Sequence, residues 1–332
     1  MGAEDHWLDA LQAQSEGDSE QALLEARACV DLDPDHADAW MLIATTLCPP
    51  MPRARLTLEA ASAGLRAVRE VVRLEPERTE AWVLGGRLLA NELGMTEEAL
   101  RWWEAIRPLA PRETTPLIEQ ATLLSSLGLY KEAMGRVQAI FDADLEVGNA
   151  QMARLLRIQQ TLTRAAEQEA TTHFKPWQRR HTGWTIIEQR KDSKPVSHQP
   201  LFLMVTVPAL ILEFLVLSPA LQGVFGEGSW VGFCFTSMVF LATVIVGTRV
   251  SMNMQQRMNR PALNLLRALE IETTSGCVVV PETIRAGKLH AAVVANQSPA
   301  WRTRHERILE LGTSLPSSWR PDLPDFGTYE EE

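Results

Sequence analysis

Glu213 is the ionisable side chain most at odds with its surroundings, standing in the apolar run PALILEFLVLSPAL at residues 208–221. A carboxyl group there has three uses: a proton relay, a polar contact to another membrane-embedded subunit, or an internal bond to a hydroxyl on a neighbouring helix. Thr236, Ser237 and Thr243 in the next apolar run are the in-chain partners for such a bond. One carboxylate on two apolar runs is too little for a transport path, so helix-to-helix contact is the favoured reading.

The remaining chemistry-bearing residues form no recognisable constellation. Cys29, Cys48, Cys234 and Cys277 are far apart, with no Cys-x-x-Cys pair and no histidines at zinc spacing, and read as reduced thiols. His290 and His305 stand singly on predicted helices and read as surface or core residues rather than ligands. The chain carries no phosphate-cradling glycine loop, no His-Glu-x-x-His and no nucleophile elbow. We therefore assign no catalytic residue, no metal and no cofactor, and read the chain as a non-enzyme.

Charge points toward membranes and proteins rather than nucleic acid. The 332 residues have a formal net charge of −10. Residues 1–170 carry 28 acidic against 16 basic side chains, and residues 171–200 carry 2 against 6. The acidic part lacks the basic face that phosphate backbones require. The first thirty residues are acidic with no continuous apolar core, against a cleaved signal peptide. The opening MGAEDH lacks the Ser or Thr of a myristoylation signal.

The elements that would position a binding surface are written as repeats. ELGMTEEAL at 92–100 and SLGLYKEAM at 126–134 place Leu93, Gly94, Glu98 and Ala99 at the same spacing as Leu127, Gly128, Glu132 and Ala133. SEGDSEQAL holds Gly17 and Ala22 in the same places. VDLDPDHADAW at 30–40 and VRLEPERTEAW at 72–82 each read as a helix end, a proline and a new helix bearing Trp. The proline-rich stretch CPPMPRARLT at 48–57 accounts for the longer spacing of that second pair.

This pattern resembles the tetratricopeptide repeat family over roughly residues 5–145, as four units. Trp40, Ile43, Ala44 and Leu47, then Gly64, Val68, Val71 and Pro76, fall at the family's packing positions. Residues 149–170 suit a closing helix. The resemblance implies a protein client bound on the concave face of the first helices, where Met41, Thr45, Val83, Arg87, Asn91, Ile118, Thr122 and Ser126 fall. Trp7 and Leu11 stand where chaperone-tail receptors of the family carry Lys and Asn, against that particular ligand.

Two apolar runs follow. Residues 201–221 would span roughly 31 Å as a helix, and residues 230–248 nearly as much. The short Gly-rich stretch QGVFGEGS between them requires an antiparallel hairpin. Lys175, Arg179, Arg180, Arg190, Lys191 and Lys194 precede the first run, and Arg249, Arg257, Arg260 and Arg267 follow the second, placing both flanks in the cytoplasm. Glu213 costs roughly 3 kcal/mol on the insertion scale, against roughly 4–8 kcal/mol returned by the run's Leu, Ile, Val and Phe residues.

Beyond the second run, SMNMQQRMNRPALNLLRALEIE reads as a helix interrupted at Pro261, CVVV at 277–280 as a short strand, and two further helices begin at Pro281 and Pro299. The tail from residue 313 reads as a disordered segment or a docking peptide. The expected fold is mainly α, a tetratricopeptide-like helical-hairpin solenoid followed by a two-helix transmembrane hairpin and a small, mostly helical C-terminal region. The expected boundaries are a repeat domain at 5–170, a basic linker at 171–200, the hairpin at 201–248, a cytoplasmic helical region at 249–312 and the tail at 313–332. The expected function is a membrane-anchored adaptor, without nucleic acid, holding a protein client at the cytoplasmic face of a prokaryotic plasma membrane. The alternatives are an accessory subunit of a transporter or respiratory complex, or an assembly factor.

Overall fold

The repeated sequence motifs become repeated backbone geometry. Gly17, Gly94 and Gly128 all adopt left-handed φ values of 80°, 63° and 81°, which only glycine takes without strain. Each ends one helical segment just before the next begins. The two Pro-to-Trp motifs also fold alike. The Trp40 indole donates to the Pro34 carbonyl at 2.9 Å, and the Trp82 indole to the Pro76 carbonyl at 2.8 Å.

The computed structural model of this protein describes residues 2–49, 56–167, 173–225 and 230–326. These are mainly helical and contain no β-strand. The helices are α1 (Ala3–Glu16), α2 (Ser19–Leu32), α3 (Ala37–Leu47), α4 (Leu58–Leu74) and α5 (Thr79–Arg87), then a π-helical turn at Leu88–Glu92. Next come α6 (Thr96–Ile106), α7 (Thr115–Leu127), α8 (Tyr130–Asp142), α9 (Asn149–Ala166) and α10 (Thr182–Arg190). The two long apolar helices are α11 (His198–Phe225) and α12 (Trp230–Met258). They precede α13 (Arg260–Ser275), α14 (Glu282–Arg285), α15 (Lys288–Ala295) and α16 (Pro299–Leu311). Most of the proline-rich stretch at 48–57, part of the expected turn between the two apolar runs and the last residues of the tail lie outside the described residues.

The chain divides into two compact units. The first comprises Met1–Thr185, Leu266–Pro281 and Val294–Glu332, and the second Ile186–Leu265 and Glu282–Val293. In the first unit each helix from α1 to α9 packs on the next, and α9 also packs on α7. Small residues allow the closest approaches. Gly85 and Gly86 of α5 lie against the indoles of Trp102 and Trp103 of α6, leaving no room for a Cβ. One core cluster joins Leu65, Val68, Leu88 and Leu89, and a second joins Leu100, Ile118, Leu124 and Ile140.

The C-terminal region is not the separate appendage expected at 249–312. Residues 266–281 and 294–326 complete the first unit. The backbone N–H of Ala300 donates to the Leu56 carbonyl at 3.0 Å, and the Arg304 guanidinium to the Leu93 carbonyl at 2.9 Å. α16 packs on α4 and on the π-helical turn. Within residues 313–326 the tail is ordered against the unit. Leu315 is buried in the second cluster, Trp319, Leu323 and Phe326 pack on it, and Arg136 sits 4.5 Å over the Phe326 ring. The apolar and aromatic side chains interleaved with the prolines explain the difference, since they supply burial that a disordered tail lacks. The CVVV stretch forms one isolated parallel bridge, Val278 to Ser314, in place of a strand. The helix expected from Pro281 is split into α14 and α15, where Gly287 is buried and a Cβ on it would lie 2.6 Å from the Lys191 carbonyl oxygen.

In the second unit α11 and α12 pack along each other. Gly247 is pressed against the Thr206 side chain, and the buried Ser251 hydroxyl donates back to the Gly247 carbonyl at 2.6 Å. Small residues four apart on one helix let two helices approach closely. The base of the pair is closed by Asn259, whose amide accepts from the Val196 N–H and donates to the Val196 carbonyl, both at 2.8 Å.

Candidate docking surface and apolar hairpin

The residues expected to line one groove on the first helices do not form one open surface. Ile118 is fully buried and Met41 is 8% exposed, so both are core residues. The Thr45 hydroxyl donates to the Met41 carbonyl at 2.9 Å and that of Thr122 to the Ile118 carbonyl at 2.8 Å, each satisfied within its own helix. Arg87 is half-buried, and its guanidinium donates to the carbonyls of Cys48 and Pro49, both at 3.0 Å. It therefore ties down the chain leaving α3. The Ser126 hydroxyl bonds the Leu123 carbonyl, and its own carbonyl accepts from Arg267 at 2.8 Å. Of the eight, Val83 and Asn91 are exposed. The expected face failed to account for the returning C-terminal segments, which cover part of it.

Arg267 is the centre of that cover. Besides Ser126, it donates to the Tyr130 hydroxyl at 2.7 Å and the Phe174 carbonyl at 3.2 Å. On the same helix, burial pushes the Glu270 carboxyl above the usual carboxylate range, despite its Ser126 hydrogen bond and the Arg267 charge. Cys48 is buried and its thiol is pushed up to about 11, chiefly by desolvation. Cys29 is also buried, Cys234 is exposed, and all four cysteines are free thiols. His305 lies in the core, paired with Glu272. Among the described residues no three or more His, Cys, Asp or Glu side chains cluster as a metal site.

A surface that the sequence pattern did not signal lies between α2 and α4, with α3 residues in its lining. It is a cavity of about 670 Å³ lined by Val30, Trp40, Ile43 and Ala67 among others, with arginines on its rim.

Among the described residues two helices are long and apolar enough to cross a membrane. The qualifying stretches are His198–Val216 and Trp230–Met258, with mean hydropathy of 1.9 and 2.0. Only 11% and 6% of their apolar windows are buried, unlike the core helix of a soluble protein. Leu212, Phe214, Leu215, Phe233, Met238 and Leu241 stand more than half exposed. Exposed apolar surface on that scale marks an interaction face. Glu213 lies half-buried in this unit, with both carboxylate oxygens buried and making no hydrogen bond among the described residues. Among the described residues the expected bond from Thr236, Ser237 or Thr243 does not form; the Thr236 hydroxyl donates instead to the Gly232 carbonyl of its own helix at 2.8 Å.

Neither protein-family models nor curated proteins show a match to this chain.

Proposed function

We propose that this protein is a membrane-anchored adaptor, a helical-repeat unit of tetratricopeptide type held at the cytoplasmic face of a membrane by α11 and α12. The observation that carries this reading is the path of the chain. It leaves the first unit before α11 and returns to it after α12, so a unit assembled from both flanks requires both flanks on one side of the bilayer. A two-span hairpin meets that requirement, and a single span does not. The Asn259 to Val196 clamp at the base of the pair and the Lys and Arg residues on both flanks agree with it. Anchoring raises the local concentration of the repeat unit near membrane partners.

A second reading has its own support in Glu213. A membrane-embedded carboxyl without an internal hydrogen bond suits a polar contact from another membrane helix, as in an accessory subunit of a larger complex. Crosslinked affinity purification from native membranes separates the two. The full chain is compared with a chain whose α11–α12 segment is replaced by an unrelated two-span hairpin, and with Glu213→Leu. Partner recovery with both variants supports the adaptor. Loss of the partner with both supports the accessory subunit and contradicts the adaptor.

A further inference from the structure

The cavity between α2, α3 and α4 has a counterpart one repeat later, and there it is filled. Aligning the two Pro-to-Trp motifs places Val30 opposite Val72, Trp40 opposite Trp82 and Ile43 opposite Gly85. Aligning the Leu-x-Pro motifs that close the two units, Leu-Glu-Pro at 74–76 with Leu-Ala-Pro at 109–111, places Ala67 of α4 opposite Trp102 of α6. In the later copy the Trp102 indole packs on Gly85, lies 4.6 Å from the Trp82 ring and donates to the Trp82 carbonyl at 2.8 Å. In the earlier copy Ala67 leaves that volume open beside Trp40.

The rim of the open copy is basic within an acidic unit. Arg27 of α2 and Arg66 and Arg69 of α4 line the cavity, and none of the three makes an ion pair or hydrogen bond among the described residues. Two acids share the rim. Glu70 is already paired with Arg73 at 2.8 Å, leaving Asp31 against three arginines. The lining also runs lengthwise. Ala63, Arg66, Ala67 and Glu70 form a stripe at three- and four-residue spacing, covering roughly 10 Å of helix. An elongated apolar groove with an aromatic wall and cationic edges matches a peptide segment with an aromatic anchor and flanking acids.

We propose that this groove binds an acidic segment of a partner protein and takes one of its large aromatic side chains in the place that Trp102 fills in the next repeat. This deepens the adaptor reading and rests on it. The partner's ring packs against Trp40, and its flanking carboxylates meet Arg27, Arg66 and Arg69.

The test uses the full chain in detergent micelles and a fluorescent synthetic helical peptide with one Trp flanked by glutamates. Two further peptides replace the Trp by Ala, or the glutamates by lysines. Two protein variants accompany them: Ala67→Trp, which fills the cavity from within, and Arg66→Glu with Arg69→Glu, which changes exposed side chains only. The proposal predicts saturable binding of the first peptide, weakened at least tenfold by each peptide change and by each protein variant. Equal binding of the Trp and Ala peptides, or binding unaffected by the arginine variant, overturns it. So does an absence of peptide binding with arginine-dependent binding to phosphatidylserine vesicles, which assigns the rim to lipid. If Ala67→Trp fails to fold, the arginine variant and the peptide pair still decide. Failure here, with partner recovery intact in the crosslinked purification, removes the groove and leaves the adaptor. Failure of that purification removes the adaptor itself.

Discussion

Glu272 and His305 are buried side by side, the imidazole Nε2 lying 2.9 Å from the carboxylate Oε2. The other oxygen of Glu272 accepts from the backbone N–H groups of Val279 and Val280, at 2.7 and 2.9 Å. His305 in turn stacks on Trp301, the two ring centroids 4.8 Å apart. One carboxylate thus joins α13, the loop after it and α16 to one another within the first unit.

Removing the imidazole leaves a buried carboxyl oxygen of Glu272 without its hydrogen-bond partner. His305→Ala is expected to destabilise the first unit by about 1–3 kcal/mol, the cost of a buried polar atom left unsatisfied. A chain ending at residue 185 loses α13 and α16 together and is expected to expose apolar core and aggregate. Denaturant unfolding in detergent checks the first expectation, and size-exclusion chromatography of the truncated chain the second. An unaltered midpoint for His305→Ala contradicts the role given to the pair.

Gly86 abuts the Trp103 ring with no space for a methyl group. Gly86→Ala is expected to cost about 1–3 kcal/mol through overpacking, with Gly85→Ala similar through Trp102. Gly135 has open space about its Cβ position and lies in α8. Gly135→Ala is therefore expected to stabilise by up to about 1 kcal/mol on helix propensity, a control that thermal unfolding reads alongside the other two.

Glu270 gives the first unit a pH dependence of defined sign. Its folded pKa is raised by burial, so the native state keeps a proton that the unfolded chain releases. The stabilisation is full below the unfolded value, near pH ~4.3, and is lost as pH rises through the folded value. Glu270→Gln removes this dependence. The variant's melting temperature is expected to exceed that of the unmodified protein increasingly from pH about 4 upward. A difference that is constant with pH contradicts the assignment.

Gly247 sets the crossing of α11 and α12. Gly247→Ala drives a methyl group into Thr206 and is expected to loosen the pair, lowering the melting temperature in detergent. Thr206→Ala removes the hydroxyl and methyl groups it meets, so the double variant is expected to recover most of the loss. Circular dichroism melts of the four proteins check this, and additive losses contradict the contact.

Periodic features were legible in the sequence. The shared spacing of Gly94 and Gly128 announced a recurring break between helices, the two Pro-to-Trp motifs announced two copies of one turn, and two long apolar stretches announced α11 and α12. What could not be read is the return of the C-terminus. The Glu272–His305 pair joins positions 33 residues apart, and Trp177 meets Trp319 at 5.9 Å between ring centroids from opposite sides of the hairpin. Contacts of this kind leave no period in either segment. For the same reason Ser126 read as free surface although Arg267 caps its carbonyl, and His305 gave no sign of its buried partner. The open cavity did leave a trace, as Ala67 in the position where the next repeat carries Trp102. That trace acquires meaning only once the two indoles are seen packed together.

The central claim, that α11 and α12 anchor the repeat unit in a bilayer, is tested most directly by alkaline carbonate extraction of membranes from cells making the full chain. The account predicts that the protein stays in the membrane pellet after extraction and that a chain lacking residues 201–248 does not. Release of the full chain into the soluble fraction as a folded protein would contradict it, and would make the exposed faces of α11 and α12 a protein interface.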